Sequence, residues 1–263
     1  MDNRNLVEEF CTPPRLEESD FDLKAFDDTE KIDIEFEGRV LKGYSIGKGP
    51  DILLVHGWGS RASHMSLLAR YIAKSGYHVL LFDGPAHGRS CKNDENDTTN
   101  MLEFGRAVSH IARNMNNLYA VIGHSFGATV SAFTMAGTLY FSRYSFFAEK
   151  LILISAPSGM FRIIEHFCRN RNQMDIMNQL TQALEQTFNF KTADYNLTSA
   201  LPNFNAQLLI IHDEEDEDIP ISDALKIKDA YKSSEIFITK GFGHRKILMN
   251  RGMLKAAKEF LMR

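Results

Sequence analysis

The sequence predicts an α/β protein, a doubly wound, mainly parallel sheet carrying a small helical lid insertion. Three observations point there. Apolar runs such as "DILLVHG", "YHVLLFD" and "KLILISAP" lack polar alternation, as strands buried on both faces of a parallel sheet require. Stretches with apolar residues at helical spacing lie between them, so strands and helices take turns along the chain. The rhythm breaks once, from about 158 to 203, where two helix-like stretches follow each other without a strand.

Composition sets the outer limits. The chain has 263 residues, 44% hydrophobic and 24% charged, with a formal net charge of -4. These values suit one large domain with room for a sizeable core and an insertion. The slight acidity argues against a nucleic-acid partner, which would need a basic face. The cysteines are Cys11, Cys91 and Cys168, with no CxxC and no histidine at ligand spacing. A disulfide framework and a metal site are therefore not expected, and Cys91 reads as an ordinary loop thiol in a reduced, cytoplasmic setting.

Residues 1–30 are acidic and contain Pro13-Pro14, which predicts an extended or loosely packed N-terminal arm with no signal peptide. "KIDIEF" and "RVLKGYSIG" alternate apolar and polar residues around Glu37-Gly38, a β-hairpin pattern. "DILLVHG" is the first buried strand, and "SHMSLLARYIAKSG" is a helix closed by Gly76. "YHVLLFD" is a second strand, leading into the turn-rich "GPAHGRSCKNDENDTTN". A helix over "MLEFGRAVSHIARNM", a third strand "LYAVIG" and a helix over "FGATVSAFTMAGTLYF" follow. "KLILISAP", "AQLLIIHD" and "SEIFITKG" complete the strands, with helices over about 221–232 and 245–262. The core is thus expected over 31–157 and 204–263, with the lid over 158–203.

Residues 118–141, "LYAVIGHSFGATVSAFTMAGTLYF", carry no Asp, Glu, Lys or Arg and are long enough to suggest a membrane span. Gly123, His124, Ser125 and Gly127 would put a titratable group and helix weakeners at mid-span. A buried strand, a sharp turn and a buried helix account for the same letters, so no membrane span is expected.

That turn carries the chemistry. G-x-S-x-G between a strand and a helix is a nucleophile elbow: the tight turn excludes side chains two positions either side of Ser125 and lifts its hydroxyl above the sheet edge. A serine needs a base, and the base an orienting carboxylate. The strand "IFITK" runs into "GFGHRKIL", which makes His244 the base. The strand "LLIIH" runs into a crowd of carboxylates from Asp213 to Asp218, of which Asp216 is preferred, Asp218 second and Asp213 third. His212 reads as structural, and His166 falls in the lid. The oxyanion donors are expected to be the backbone N–H groups of Phe126 and of Trp58 in "HGWGS".

"HGWGS", "FDGPAHGRS", "GHSFG", "HDEEDEDIP" and "GFGHRKIL", in this order, resemble the serine α/β-hydrolases over about residues 31–263. The resemblance implies the α/β-hydrolase fold with Ser125 as nucleophile, Asp216 as acid, His244 as base, and Trp58 and Phe126 as oxyanion donors. Asp216 fits because the family's loop reads H-G-x-x-D with a proline four residues on, where Pro220 stands here. Asp213 replaces the family's usual glycine. Asp83 and His87 fall in what looks like a structural loop of the family. Serine at the elbow sets aside the dehalogenase and epoxide-hydrolase branches, which place Asp there.

The function expected is a serine hydrolase cleaving a small acyl or aryl carboxylic ester through an acyl-enzyme, with a small-molecule ester as partner, no cofactor and no metal. Thioesters, amides or C–C bonds beside a carbonyl would suit the same groups, and a non-catalytic ligand-binding protein would share the fold. A homodimer is left open.

Overall fold

The computed structural model describes residues 2–90 and 97–263; Cys91 lies outside them. Its eight strands are β1 Glu30–Phe36, β2 Arg39–Gly47, β3 Asp51–Val55, β4 His78–Phe82, β5 Leu118–His124, β6 Lys150–Ile154, β7 Gln207–Asp213 and β8 Glu235–Thr239. They form one sheet in the order β1-β2-β4-β3-β5-β6-β7-β8. β1 pairs antiparallel with β2, and β2 with β4, while the remaining neighbours run parallel. The strand order reverses at β3, which lies between β4 and β5. Open α/β sheets bind ligands at such a switch point, beyond the carboxyl ends of the strands.

The helices are α1 Asn3–Cys11, α2 Asp20–Lys24, α3 Ser66–Ala73, α4 Met101–Asn114, α5 Phe126–Ala136, α6 Met160–Asn170, α7 Met177–Phe188, α8 Leu197–Ala200, α9 Ile221–Ala230, α10 Gly243–Lys246 and α11 Arg251–Leu261. The apolar strands feed two cores, one on each face of the sheet. Leu53, Val55, Val121, Leu151, Leu153 and Ile210 join the core under α4 and α5. Ile52, Leu54, Ile122, Ile152, Ile154 and Ile211 join the one under α3 and α11. Successive residues point to opposite faces, and both faces are covered, so no polar alternation survives.

Residues 118–141 form β5, α5 and the start of a short 3-10 turn over Leu139–Arg143. The helix stops earlier than its apolar letters suggest because Gly137 takes a left-handed φ of 63°. The stretch 245–262 is likewise broken, since the Asn250 side chain accepts from Met253 N–H and starts α11 afresh. Among the described residues no helix is long and apolar enough to cross a membrane.

The far end of α11 is capped by the sheet. Tyr77 and Tyr119 hydroxyls each donate to Leu261 O at 2.8 Å, and the buried Lys150 ammonium donates to Phe260 O at 2.8 Å. Lys150 also lies 5.3 Å from the Tyr119 ring centroid and 5.2 Å from that of Phe260. A cation at the negative end of a helix, bonded to its free carbonyls, offsets its own desolvation.

Two segments depart from the strand–helix rhythm. Between β6 and β7, the helices α6 to α8 form an insertion. Its first helix is fastened to the start of α9 by Asp223, whose buried carboxylate accepts from Ser158 N–H at 2.9 Å and from Arg162 at 3.0 Å. The other departure corrects an expectation. Residues 3–11 are helical rather than extended, with Leu6, Val7 and Cys11 buried in the main core. Leu6, Val7, Phe10 and Cys11 make a helical stripe that the acidic composition masks. Residues 13–19 between α1 and α2 carry no helix or strand.

Candidate active site

The turn from β5 to α5 is built on close approach. A Cβ on Gly123 would lie 2.3 Å from Ala128 Cα, and one on Gly127 would lie 2.2 Å from His56 O and 2.5 Å from Val55 O. Both contacts are with backbone, so neither position admits a side chain. Between them Ser125 takes φ 53° and ψ -124°, a conformation that non-glycine residues rarely adopt. Its N–H is tied to Ile154 O at 2.8 Å. Phe126 opens α5, and a first helical N–H has no acceptor within its own helix.

Three remote groups meet at this turn. His244 Nε2 lies 2.9 Å from Ser125 Oγ, and His244 Nδ1 lies 2.8 Å from Asp216 Oδ2. With Nδ1–H donating to the carboxylate, Nε2 is left to accept the serine proton. The other oxygen of Asp216 accepts the N–H groups of Asp218 at 3.0 Å and Ile219 at 2.8 Å. Burial alone would raise the Asp216 carboxyl. The His244 hydrogen bond and charge, with help from Ile219 N–H and His212, outweigh it and hold the group below the usual carboxylate range.

The neighbouring carboxylates go elsewhere. Glu214, Glu215 and Glu217 are exposed, and Asp218 is half-buried on the cavity wall. Asp213, fully buried, accepts from Thr239 Oγ1 at 2.7 Å, from Phe242 N–H at 3.2 Å and from Glu215 N–H at 3.0 Å. It fastens the end of β8 and the turn that carries His244, which gives a physical role to a side chain where the resemblance led us to expect glycine. His212 is buried, with Nε2–H donating to Ile219 O at 2.8 Å, and it shapes the same loop from below.

The loop after β3 is held by two more imidazoles. His56 Nε2 accepts from Gly84 N–H at 2.9 Å, and His87 Nε2 accepts from Gly59 N–H at 3.0 Å. Their Nδ1 atoms face Gly57 O at 2.7 Å and Pro85 O at 2.8 Å, which fixes both rings as Nδ1–H tautomers. Burial drives His56 well below its ordinary value and His87 down to about 4. Asp83, also buried, accepts from Ala62 and Arg89 N–H groups, and burial raises it to about 6. "HGWGS" and "FDGPAHGRS" thus clip each other in place. The result is that Trp58 meets Phe126 edge to face, ring centroids 5.1 Å apart, beside Ser125.

Sequence reasoning passed over one histidine. His124, read only as an interruption of an apolar run, donates from Nε2 to the backbone carbonyl of His244 at 2.8 Å. Burial pushes it to about 3, so it stays a neutral donor. Its place inside the elbow pentapeptide was the available signal. Ser125, His244, Trp58 and Phe126 all face one cavity of about 1030 Å³, walled by the insertion, by the loops after the strands and by residues 9–22. Among the described residues no group of three or more His, Cys, Asp or Glu is placed to hold a metal ion.

A mainly parallel sheet with a serine at a strained strand-to-helix turn over its switch point is the architecture of the α/β hydrolases. The chain belongs to the alpha/beta hydrolase family, whose model matches residues 52–237. It is similar to a human serine hydrolase-like protein, 26% identical over 117 residues, which are 44% of this chain and 54% of that protein. The match therefore spans about half the length of that curated relative. Among solved structures it resembles an esterase of Pyrococcus furiosus, with a TM-score of 0.68 at 19% identity over 96% of this chain and 97% of the other. The thioesterase domain of the curacin biosynthetic pathway gives 0.66 at 15% identity over 90% and 100%. Likenesses this distant speak for the fold alone.

Two predictions follow from these contacts. Helix propensity favours alanine over glycine by about 1 kcal/mol, but Gly127→Ala is expected to destabilise by at least about 3 kcal/mol because backbone blocks the new Cβ. A urea midpoint that rises in this variant would refute the close approach. The second concerns pH. His56, His87 and His124 resist protonation when folded but take up protons near 6.5 when unfolded, so stability falls as pH drops below 6.5. Each contributes up to about 1.4 kcal/mol per pH unit while it is neutral only in the folded state. Asp83 has the opposite sign, gaining its proton earlier when folded, between about 6 and 3.8. Three groups outweigh one, and urea unfolding from pH 6.5 to 4.5 should show a falling midpoint; a flat or rising one would contradict the neutral imidazoles.

Proposed function

We propose that the protein is a serine hydrolase of carboxylic esters that works through an acyl-enzyme. The observation that carries this reading is the unbroken hydrogen-bonded chain from the Ser125 hydroxyl through His244 to the Asp216 carboxylate. Ser125 Oγ attacks the ester carbonyl while His244 Nε2 takes its proton. The carbonyl becomes a tetrahedral oxyanion, which accepts hydrogen bonds from the backbone N–H groups of Trp58 and Phe126. The imidazolium then passes that proton to the departing alkoxide, leaving Ser125 acylated. Water enters, gives a proton to His244 and attacks the acyl carbon, and the proton returns to Ser125 as the acid leaves. Asp216 stays ionised throughout and stabilises the imidazolium that forms twice per cycle.

His124 has a supporting part in this scheme. Its hold on the His244 carbonyl fixes the backbone of the base from the nucleophile's own turn. Membership of the hydrolase family supports the hydrolytic class, and the choice of an ester over a thioester or amide is our own.

The test is chemical. A fluorophosphonate probe is expected to label Ser125, and Ser125→Ala should lose p-nitrophenyl ester turnover by at least about a thousandfold. A folded wild-type protein that refuses the probe would favour a ligand-binding role. Asp216→Asn is expected to cost far more turnover than Asp218→Asn. The reverse order, measured as kcat/KM on one ester, would move the acid to Asp218.

A further inference from the structure

The segment before the sheet is the part of this cavity that the hydrolase motifs leave without a task. It runs across the mouth from the insertion to the loop after β3, and both of its ends are fastened. At the insertion end the Phe10 ring meets Phe167 of α6 edge to face, centroids 5.1 Å apart. Glu9 pairs with Arg171 at 2.6 Å, and the Arg171 guanidinium lies 3.9 Å over the same Phe167 ring. At the other end Arg61 donates to Leu16 O, and Ser63 donates to the Asp22 carboxylate. Just after Phe10, Cys11 O accepts from Thr99 N–H at 2.9 Å. Gly59, next to Trp58, is so close to Pro14 that a Cβ there would sit 2.5 Å from its ring.

The span turns apolar side chains to the cavity. Phe10, Pro13 and Leu16 line it together with Met160, Ile163 and Phe167 of α6 and with Ser125, while Arg15 and Glu17 of the same segment line it as well. Leu16 and Phe21 line the cavity yet are 45% and 58% exposed, so this wall presents apolar surface that the protein does not cover. A void of about 1030 Å³ is more than a short acyl or aryl group fills, since pockets for whole drug-sized ligands run from roughly 300 to 1,000 Å³.

We propose that residues 9–22 are a specificity element, which with α6 forms an apolar channel for an extended hydrocarbon chain of the substrate. This rests on the serine hydrolase reading and refines it. The substrate class is an ester with a long, unbranched apolar chain, carried either on the acyl or on the alcohol side of the scissile bond. Each methylene drawn from water into such a channel multiplies transition-state binding by about four. The short ester expected from the motifs alone would leave the channel largely empty.

The experiment uses two ester series, p-nitrophenyl acetate to laurate for the acyl side and the acetates of ethanol to dodecanol for the alcohol side. In one series kcat/KM is expected to climb by about fourfold per added methylene over several carbons. Which series climbs tells on which side the chain lies. Leu16→Asp, at an exposed position, puts a carboxylate in the channel, and Ile163→Trp narrows it. Both should lower the ratio of kcat/KM for the longest chain to that for p-nitrophenyl acetate by at least about tenfold. Flat dependence in both series, with acetate turnover and fluorophosphonate labelling intact, overturns the channel while the hydrolase reading stands. A climb that neither variant changes overturns the role of these residues. Protein that neither takes the label nor cleaves the acetate overturns the hydrolase reading and this inference with it.

Discussion

The structure depends on one close approach, that of the β5–α5 turn to the end of β3. Gly127 lies against the carbonyls of Val55 and His56, and Gly123 against the backbone of Ala128. With no side chains between them, α5 starts directly above the sheet, and Ser125 is left at a φ of 53° with its hydroxyl raised over the edge. A bulkier turn would move the serine away from the loop that carries Trp58. It would also move it away from the imidazole arriving from β8, because that imidazole is held to the same turn through His124. Backbone strain at one residue is thus maintained by packing around it, as local strain must be.

Buried neutral histidines are the second recurring device. His56, His87, His124 and His212 each donate one ring proton to a backbone carbonyl, and burial disfavours their charged forms. An imidazole suits this task because it spans two loops, donating from one nitrogen and accepting at the other without bringing a charge into the core. His56 and His87 use both nitrogens in this way and knit the β3 loop to the β4 loop.

The N-terminal segment shows where composition misleads. Its acidic residues and paired prolines read as loose chain, yet α1 buries Leu6 completely and supplies the Phe10 ring to the cavity. Nine residues give too short a window for the helical stripe to stand out against flanking charge. The stabilising partners, Phe167 and Arg171, lie about 160 positions away in the insertion, so no local pattern announces them. The same holds for Asp213, whose partners Thr239 and Phe242 come from the next strand and the turn beyond it.

The sequence by itself determined the strand and helix alternation, the hairpin at the sheet edge, the elbow around Ser125 and the strand ends from which an acid and a base would come. Those features are written in residue periodicity and in glycine spacing, which act over a few positions at a time. Only the tertiary structure decided which of six adjacent acidic residues meets His244, how two loops lock over Trp58, and what closes the cavity. Side-chain direction in a loop depends on how the strands beneath it pair. The parallel register of β7 on β8 sets Asp213 opposite Thr239 and, three residues on, brings Asp216 under His244. That register is a property of the folded sheet, since strands separated by a whole helix find their alignment only when the helix has packed.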